Sequence, residues 1–231
     1  MVCATDNLLG KGMYTPAEAA LYARIAPAKL RRWIFGTSSN RAAIIHEASS
    51  SAEKTVTFLD LIQSLAIRSI RASRKVSLDK IRQVIERAKE QFGIDYPFAR
   101  RHMTYLFGDE IHLEIDNVGL VQMTGQNVRQ LAMRRIVEVY LEDLSFDAST
   151  GLASQYSPMA APEIKAKVVL DPRRRFGEPI VDTCGYTAQT LWESFQSEGG
   201  YDPAAKALGV TPEEIKLACR YWESLQIEQT V

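Results

Sequence analysis

The stretch Tyr14–Phe35, YTPAEAALYARIAPAKLRRWIF, determines how the front of the chain is interpreted. Thr15 and Glu18 have the spacing of a capping box, and Pro16 stands at the first helical position, where its missing N–H costs nothing. A short helix is therefore predicted to begin at Pro16. Its apolar side carries Ala19, Ala20 and Tyr22.

A second short helix is predicted to begin at Ala26-Pro27, because proline is favoured at the first position of a helix. Its apolar side carries Leu30, Trp33 and Ile34, and its opposite side carries the cations Lys29, Arg31 and Arg32. Two short helices, a tight turn and a basic outer face are the requirements of a helix-turn-helix that reads a DNA major groove. The alternative is a packed helical hairpin whose charges are only solvated.

Two β-prone runs, Arg41–Glu47 and Thr55–Thr57, follow the second helix and are joined by a polar, serine-rich loop. Such runs predict a hairpin, which beside a helix-turn-helix is a wing. From a wing, Arg41, His46 and Lys54 reach phosphates or the minor groove. Contacts of this kind position a protein on DNA without reading its sequence. Residues 1–13 are expected to form a loose arm.

The middle of the chain predicts further helices and strands. Apolar stripes at helical spacing predict helices over Phe58–Ser73 and from Ser77 to about Phe92. Met103–Ile115 predicts a β-hairpin, and Leu120–Met123 predicts a third strand. A helix of about sixteen residues ending near Leu141 is expected next, then a short acidic strand over 142–147. A linker rich in Ser, Ala and Pro is expected over 148–163.

The last part of the chain, Lys165–Val231, predicts a short strand at 168–170, a turn-rich arm over 171–181 and three compact helices. The three helices are arranged like a helix-turn-helix, but the outer face of the last one is expected to be acidic and to repel phosphates. We therefore expect a protein-interaction domain. Because aromatic side chains are frequent interface hot spots, the expected partner contacts are Trp192, Tyr221, Trp222 and Glu223.

The net charge of zero conceals a division along the chain. Residues 1–101 hold 17 Lys and Arg against 9 Asp and Glu, and residues 102–231 hold 11 against 19. A basic front half suits a polyanion, because neutralised phosphates release counterions. The acidic back half is better suited to a protein partner.

Composition bounds the class of protein. The 231 residues, 46% apolar and 24% charged, fit two or three small domains with real cores. No apolar run reaches the ~20 residues that a membrane span needs, and no secretory signal is visible. Three distant cysteines suit free thiols in a reducing cytosol. We expect a cytoplasmic α+β protein, mainly α, with regions over residues 1–101, 102–160 and 161–231.

The sequence contains no recognisable catalytic constellation. His46, His102 and His112 are not part of an HExxH motif or close to a Cys-x-x-Cys motif, which are typical of metal sites. No GxGxxG, Walker loop or GxSxG motif occurs either. No enzyme activity, cofactor or metal is therefore expected. Cys184 follows Arg173–Arg175, which would activate its thiol if they met in space, but a buried inert thiol is the expectation.

The succession of segments resembles a known family. Residues 14–34 resemble the helix-turn-helix of MerR-like winged regulators, and residues 58–101 are similar to the following segment of the longer, MerR-like VapB-type antitoxins. Residues 168–223 resemble the small C-terminal domain of unknown function found in many such antitoxins. The matches are Asp171-Pro172, Gly177-Glu178-Pro179-Ile180-Val181 and Tyr221-Trp222-Glu223. Asp182-Thr183-Cys184 stands where the family often has Gly-Thr-Arg, so no role of that Arg is carried over.

The resemblance implies a type II antitoxin, which binds a toxin, usually a PIN-domain ribonuclease, and blocks its carboxylate-lined metal site. It also implies binding to operator DNA of the antitoxin's own operon. The expected DNA contacts are Thr15, Lys29, Arg31, Arg32, Arg41 and Lys54. Symmetric operators need two reading heads, so a homodimer is expected. The alternatives are a small-molecule-sensing regulator without a toxin, with its ligand in the central region, and a protein adaptor that never meets DNA.

Overall fold

The computed structural model describes residues 11–36, 44–45, 54–74, 76–101, 103–107, 110–115, 118–124, 134–135 and 143–227. Helices and strands are mixed, as expected for an α+β chain. The chain divides into two compact units, an N-terminal one over Gly10–Ala153 and a C-terminal one over Ser154–Val231. The division into three functional regions stays a prediction.

The N-terminal unit contains four described α-helices and a series of short strands. The helices are α1 (Pro16–Ala23), α2 (Pro27–Phe35), α3 (Phe58–Arg74) and α4 (Leu78–Phe92), and a 3₁₀ turn lies at Pro97–Ala99. The strands are β1 (Gly12–Tyr14), β2 (Val56–Thr57), β3 (Met103–Phe107), β4 (Glu110–Ile115), β5 (Gly119–Gln122), β6 (Arg134–Arg135) and β7 (Leu144–Phe146).

Helix α3 is the centre of the N-terminal unit, because every side chain from Phe58 to Ile67 is buried. Its start is capped by Thr57, whose hydroxyl accepts a hydrogen bond from the Asp60 N–H at 3.0 Å. In return, Asp60 Oδ2 accepts hydrogen bonds from the Thr57 N–H at 2.9 Å and the Thr57 hydroxyl at 2.7 Å. Helices α1 and α2 pack against α3. Burying each large apolar side chain contributes ~1.5–3 kcal/mol, so the position of α2 is strongly determined.

The strand β2 pairs with β1 in antiparallel fashion. The prediction of a loose arm is therefore wrong at Gly12 and Met13. Ile44 and Ile45 form a bend instead of a strand, and the N–H groups of both donate to the Trp33 carbonyl at 2.7 and 3.2 Å. Both side chains are buried. Apart from these two, Arg41 and the other residues of 41–53 lie outside the described residues. The second run of the expected wing forms β2, but β2 pairs with β1 and not with Ile44 or Ile45, so the predicted hairpin is wrong there.

A second sheet in this unit has the strand order β5-β4-β3-β6, and all neighbours are antiparallel. It confirms the hairpin over 103–115 and the third strand after it. The predicted helix ending near Leu141 is wrong at Arg134 and Arg135, which pair with Leu106 and Tyr105 as strand β6. The open edge of β3 offers unpaired backbone groups, and pairing with them overrides local helix propensity.

The C-terminal unit combines three antiparallel strands with three helices. The strands are β8 (Ala153–Ala161), β9 (Ala166–Leu170) and β10 (Ile180–Val181), in the order β8-β9-β10. The helices are α5 (Ala188–Glu198), α6 (Tyr201–Leu208) and α7 (Pro212–Ile227), and 3₁₀ turns lie at Pro162–Ile164 and Arg175–Gly177.

The prediction of an irregular linker over 148–163 is wrong for residues 153–161, which form β8. This strand pairs with β9 through Tyr156 and Leu170 and through Ala161 and Ala166. Its Ser-rich and Ala-rich composition resembles a linker, but pairing with a buried apolar strand decides its conformation.

The helix boundaries of the C-terminal unit agree with the sequence. Thr187 caps α5, and Gly199 and Gly209 end α5 and α6 with φ of 74° and 68°. Helix α6 begins at Tyr201, just before the Asp202-Pro203 pair. The inward side of α7 is at most 9% exposed and consists of Ile215, Ala218, Cys219 and Trp222.

Candidate nucleic-acid interface

The first helix of the candidate interface begins with a complete capping box. The Thr15 hydroxyl accepts a hydrogen bond from the Glu18 N–H at 3.2 Å, and the Thr15 N–H donates to Glu18 Oε2 at 2.7 Å. Pro16 occupies the first turn. Thr15 is exposed, but its oxygen already caps the helix, so its first role is to start α1.

The turn between α1 and α2 is short and anchored. Arg24 ends α1 in the left-handed conformation with φ of 53°, and the Ile25 N–H donates to the Ala20 carbonyl at 2.9 Å. The Arg68 guanidinium on α3 donates to the Arg24 carbonyl at 3.4 Å. The turn is therefore tied to the central helix, and the orientation of α2 follows from it.

Helix α2 separates its apolar and basic sides as predicted. Leu30, Trp33 and Ile34 are 0–2% exposed, whereas Lys29, Arg31 and Arg32 are all exposed. Lys29 Nζ lies 5.3 Å from the centroid of the Trp33 ring, a cation–π distance. Within the described ranges, no carboxylate forms an ion pair with these three cations. Their charge thus remains available on one outward surface.

Lys54 lies beside the C-terminal end of the same helix. Its Nζ is 5.6 Å from the centroid of the Phe35 ring, and the residue is exposed. The structure thus brings Lys54 next to α2 through an aromatic contact, which the sequence did not reveal. Arg41 lies outside the described residues, so its place in the interface stays a prediction.

The expected partner contacts of the C-terminal unit differ in accessibility. Tyr221 is 1% exposed and Trp222 is 9% exposed, so both contribute to the core of this unit. Trp192 is half-buried, and Glu223 is exposed. A partner that docks without opening the unit therefore reaches Glu223 and the accessible part of Trp192.

The outer face of α7 is mixed in charge, so the prediction of an acidic face is wrong. Its exposed charged residues are Glu213, Lys216, Arg220 and Glu223. Lys216 Nζ lies 3.8 Å from Glu213, and Arg220 lies 3.7 Å from Glu163. Each of the two cations thus lies close to a carboxylate, which neutralises the face locally.

One prominent surface residue was missed by sequence reasoning. Phe176 is 81% exposed, at the tip of the connection between β9 and β10. The sequence predicts only a turn-rich arm for this connection. A large aromatic residue directly after three arginines is the signal that could have identified it.

The titratable groups of the C-terminal unit do not form a reactive centre. Burial raises the pKa of the Cys184 thiol, and burial raises the pKa of Cys219 to about 11. Both thiols are therefore protonated and unreactive at neutral pH. Among the described residues, no group of three or more His, Cys, Asp or Glu side chains is arranged to hold a metal ion. None of the described helices is both long and apolar enough to cross a bilayer.

The fold is shared with a solved structure. The crystal structure of Rv2018 from Mycobacterium tuberculosis superposes with a TM-score of 0.62, covering 91% of this chain and 98% of that one. The sequence identity is 18%, so the similarity concerns the fold.

A distant sequence relative carries the name of an antitoxin. The chain is 25% identical over 232 residues to a Mycobacterium tuberculosis protein named "Putative antitoxin VapB45", and the alignment covers 88% of this chain and 91% of that protein. No protein-family model matches the chain.

Proposed function

We propose that this protein is the antitoxin of a type II toxin–antitoxin pair, acting in the cytoplasm by binding and not by catalysis. In this role it neutralises a PIN-type ribonuclease and binds operator DNA to repress its own operon. The name of the distant relative supports the antitoxin role.

The observation that carries the DNA-binding half is the outward basic face of α2. Lys29, Arg31 and Arg32 are exposed on the second helix of a two-helix unit, and the buried side of that helix packs against α3. In helix-turn-helix proteins the second helix enters the major groove, and flanking cations contact phosphates. Lys54 extends the positive surface at the end of α2. We further propose a homodimer, since paired half-sites match two-fold symmetry.

A gel-shift titration tests the DNA-binding half. The probe is the DNA fragment upstream of the chain's own gene, and the variant carries Arg31→Glu and Arg32→Glu. We expect the variant to lose the shift, because two reversed charges repel phosphates. The matched control, Lys165→Glu with Lys206→Glu, changes the net charge equally at exposed sites of the C-terminal unit and should retain it. An unchanged shift of the α2 variant would remove α2 as the recognition helix.

Co-expression tests the toxin-binding half. The chain is tagged and produced together with the product of the neighbouring reading frame, and the purified material is assayed for ribonuclease activity. We expect a stoichiometric complex that is inactive until the antitoxin is removed. A neighbour that does not copurify, or a complex that keeps full ribonuclease activity, would contradict this half.

The alternative, a regulator that senses a small molecule, has one observation in its favour. A groove of about 440 Å³ lies in the N-terminal unit between α4 and the end of β5, lined by Gln83, Glu86, Arg87, Glu90, Gln91, Met123 and Thr124. All of its lining residues except Met123 are polar, whereas small-molecule sites are predominantly lined by apolar side chains. Arg87 already donates to the carbonyls of Gln122 and Met123 at 3.4 and 3.3 Å. The antitoxin role is therefore better supported.

A further inference from the structure

We propose that the loop Arg173–Glu178 is a pre-formed docking finger, whose tip Phe176 enters an apolar pocket bordered by carboxylates on a protein partner. The inference rests on the proposed function, in which that partner is the ribonuclease toxin. It assigns the contact to a residue outside the expected set of Trp192, Tyr221, Trp222 and Glu223.

The tip of the finger presents an aromatic side chain to solvent. Phe176 is 81% exposed, more than the other exposed large apolar residues of the described chain, Val118, Leu120 and Tyr201. Folding normally removes such a ring from water, because burial of apolar area is favourable. An aromatic ring left outside at the end of a loop is typical of an interface anchor.

The backbone at the tip has an uncommon conformation. Arg175 and Phe176 have φ of 48° and 53°, consecutively in the left-handed region. Side chains other than Gly, Asn and Asp rarely occupy this region, and bulky ones are outliers there. Strained residues of this kind cluster at binding and active sites. A glycine or asparagine would fit the same backbone with less strain, so the ring itself is the feature to explain.

The base of the finger is rigid. Arg173 forms a bidentate ion pair with the buried Asp171, with both N–O distances at 2.9 Å. The Arg174 N–H donates to the Asp171 carbonyl at 2.8 Å, and the Arg174 guanidinium donates to the Asp182 carbonyl at 3.2 Å. The loop also connects two paired strands, β9 and β10. A loop held in this way loses little conformational entropy on binding.

Charge indicates the chemistry of the partner. Arg175 is exposed beside Phe176, and within the described part of the chain no carboxylate pairs with it. Arginine binds carboxylates bidentately, so acidic residues are expected at the rim of the receiving pocket. Residues 154–231 hold 8 Lys and Arg against 11 Asp and Glu. This net negative unit repels a polyanion at long range, which favours a protein with a local acidic patch over nucleic acid.

The test measures the affinity of the full-length chain for the purified product of the neighbouring reading frame. Phe176→Asn is expected to weaken binding at least about tenfold, the scale of an interface hot spot. Phe176→Tyr keeps the ring and should bind almost normally. Val118→Asn, at an exposed apolar residue of the N-terminal unit, is the matched control and should bind like the wild type.

A second pair of variants tests the charge. Arg175→Glu should weaken binding about tenfold, whereas Lys206→Glu, an equal charge change at another exposed site of the same unit, should leave affinity unchanged. The melting temperature of Phe176→Asn should equal or exceed that of the wild type, because asparagine tolerates the left-handed backbone. If the Phe176 ring had only a structural role, its removal would lower the melting temperature.

The outcomes distinguish a failure of the docking finger from a failure of the antitoxin role. If the wild type binds the toxin and Phe176→Asn binds equally well, the finger is wrong and the antitoxin role stands. If the wild type does not bind the neighbour, both the antitoxin role and the finger fail. If a single-stranded oligonucleotide binds in a way that depends on Phe176, the partner of the loop is a nucleic acid and not a protein, because bases also stack on exposed aromatic rings.

Discussion

Threonine side chains begin four of the described helices by the same local chemistry. The hydroxyls of Thr15, Thr57, Thr187 and Thr211 accept hydrogen bonds from the backbone N–H three residues later, at 3.2, 3.0, 3.1 and 3.3 Å. Each satisfies an amide that the first turn of a helix leaves without a backbone partner. These contacts involve only neighbours in the chain, so they are visible in the sequence.

Replacing Thr15 by alanine should lower the free energy of unfolding of the N-terminal unit by about 1 kcal/mol, because the cap is lost. Urea unfolding followed by circular dichroism measures the change. Thr15→Ser keeps the hydroxyl and should stay within a few tenths of a kcal/mol of the wild type. Equal stability of the alanine variant would mean that the capping box contributes nothing.

His112 makes the stability of the N-terminal unit depend on pH. Burial lowers the pKa of His112 below its ordinary value of 6.5, and nearby Glu110 opposes the shift only partly. Below pH 6.5 the unfolded chain therefore binds a proton that the folded chain does not. The contribution of this histidine is present above pH 6.5 and is lost as the pH falls towards its lower folded pKa.

We expect the urea midpoint of the wild type to fall between pH 7.5 and pH 5.5 by more than that of His112→Gln, which does not titrate. The difference between the two proteins isolates the histidine from the carboxylates that titrate at lower pH. Identical midpoint shifts for both proteins would show that His112 has the same pKa in the folded and unfolded states.

At the scale of the element, α2 has one side for packing and one for solvent. Its anchor is Trp33, which is 2% exposed and lies under Lys29. The Trp33 carbonyl also accepts the N–H groups of Ile44 and Ile45. One residue thus links the helix, the following segment and the cation on its surface.

Trp33→Ala should therefore destabilise the N-terminal unit by about 3–5 kcal/mol, the range for deleting a large aromatic side chain from a core. Arg32→Ala, one position earlier on the exposed side, should change stability by no more than about 0.5 kcal/mol. Urea unfolding of both variants checks the contrast. Similar losses for the two would indicate that α2 is not oriented as described.

At the scale of the whole molecule, charge is distributed unevenly along the chain. The basic excess lies within residues 1–101, and the exposed cations of α2 belong to it. The C-terminal unit is net negative, with 8 Lys and Arg against 11 Asp and Glu over residues 154–231, and the charges on α7 are mixed. Under the proposed function, the affinity of the whole protein for DNA should follow the cations of the N-terminal unit.

The salt dependence of operator binding tests this distribution. The logarithm of the binding constant should fall linearly with the logarithm of salt concentration, and Lys54→Ala should reduce the slope by about 1 if Lys54 contacts a phosphate. Lys206→Ala removes an exposed lysine from the C-terminal unit and should leave the slope unchanged. Equal slopes for the wild type and Lys54→Ala would place Lys54 outside the interface.

Much of the candidate interface could be predicted from residues 14–35 alone. The spacing of Leu30, Trp33 and Ile34 requires a buried side, and the spacing of the three cations then requires an exposed one. The contact of Lys54 with Phe35 could not be predicted, because it depends on how a distant segment returns to α2. The exposure of Phe176 does not follow from its residue type, since an apolar residue is expected to be buried, and only its position after three arginines pointed to it.

The sequence by itself determined where α1 to α5 and α7 begin, the apolar stripes of α2, α3 and α4, and the hairpin β3–β4, because caps, periodicity and turns act between residues close in the chain. Only the tertiary structure decided that β1 pairs with β2, that Arg134-Arg135 joins the edge of β3 and that β8 replaces the expected linker. Strand pairing depends on partners distant in sequence, whose backbone groups and buried faces outweigh local propensity.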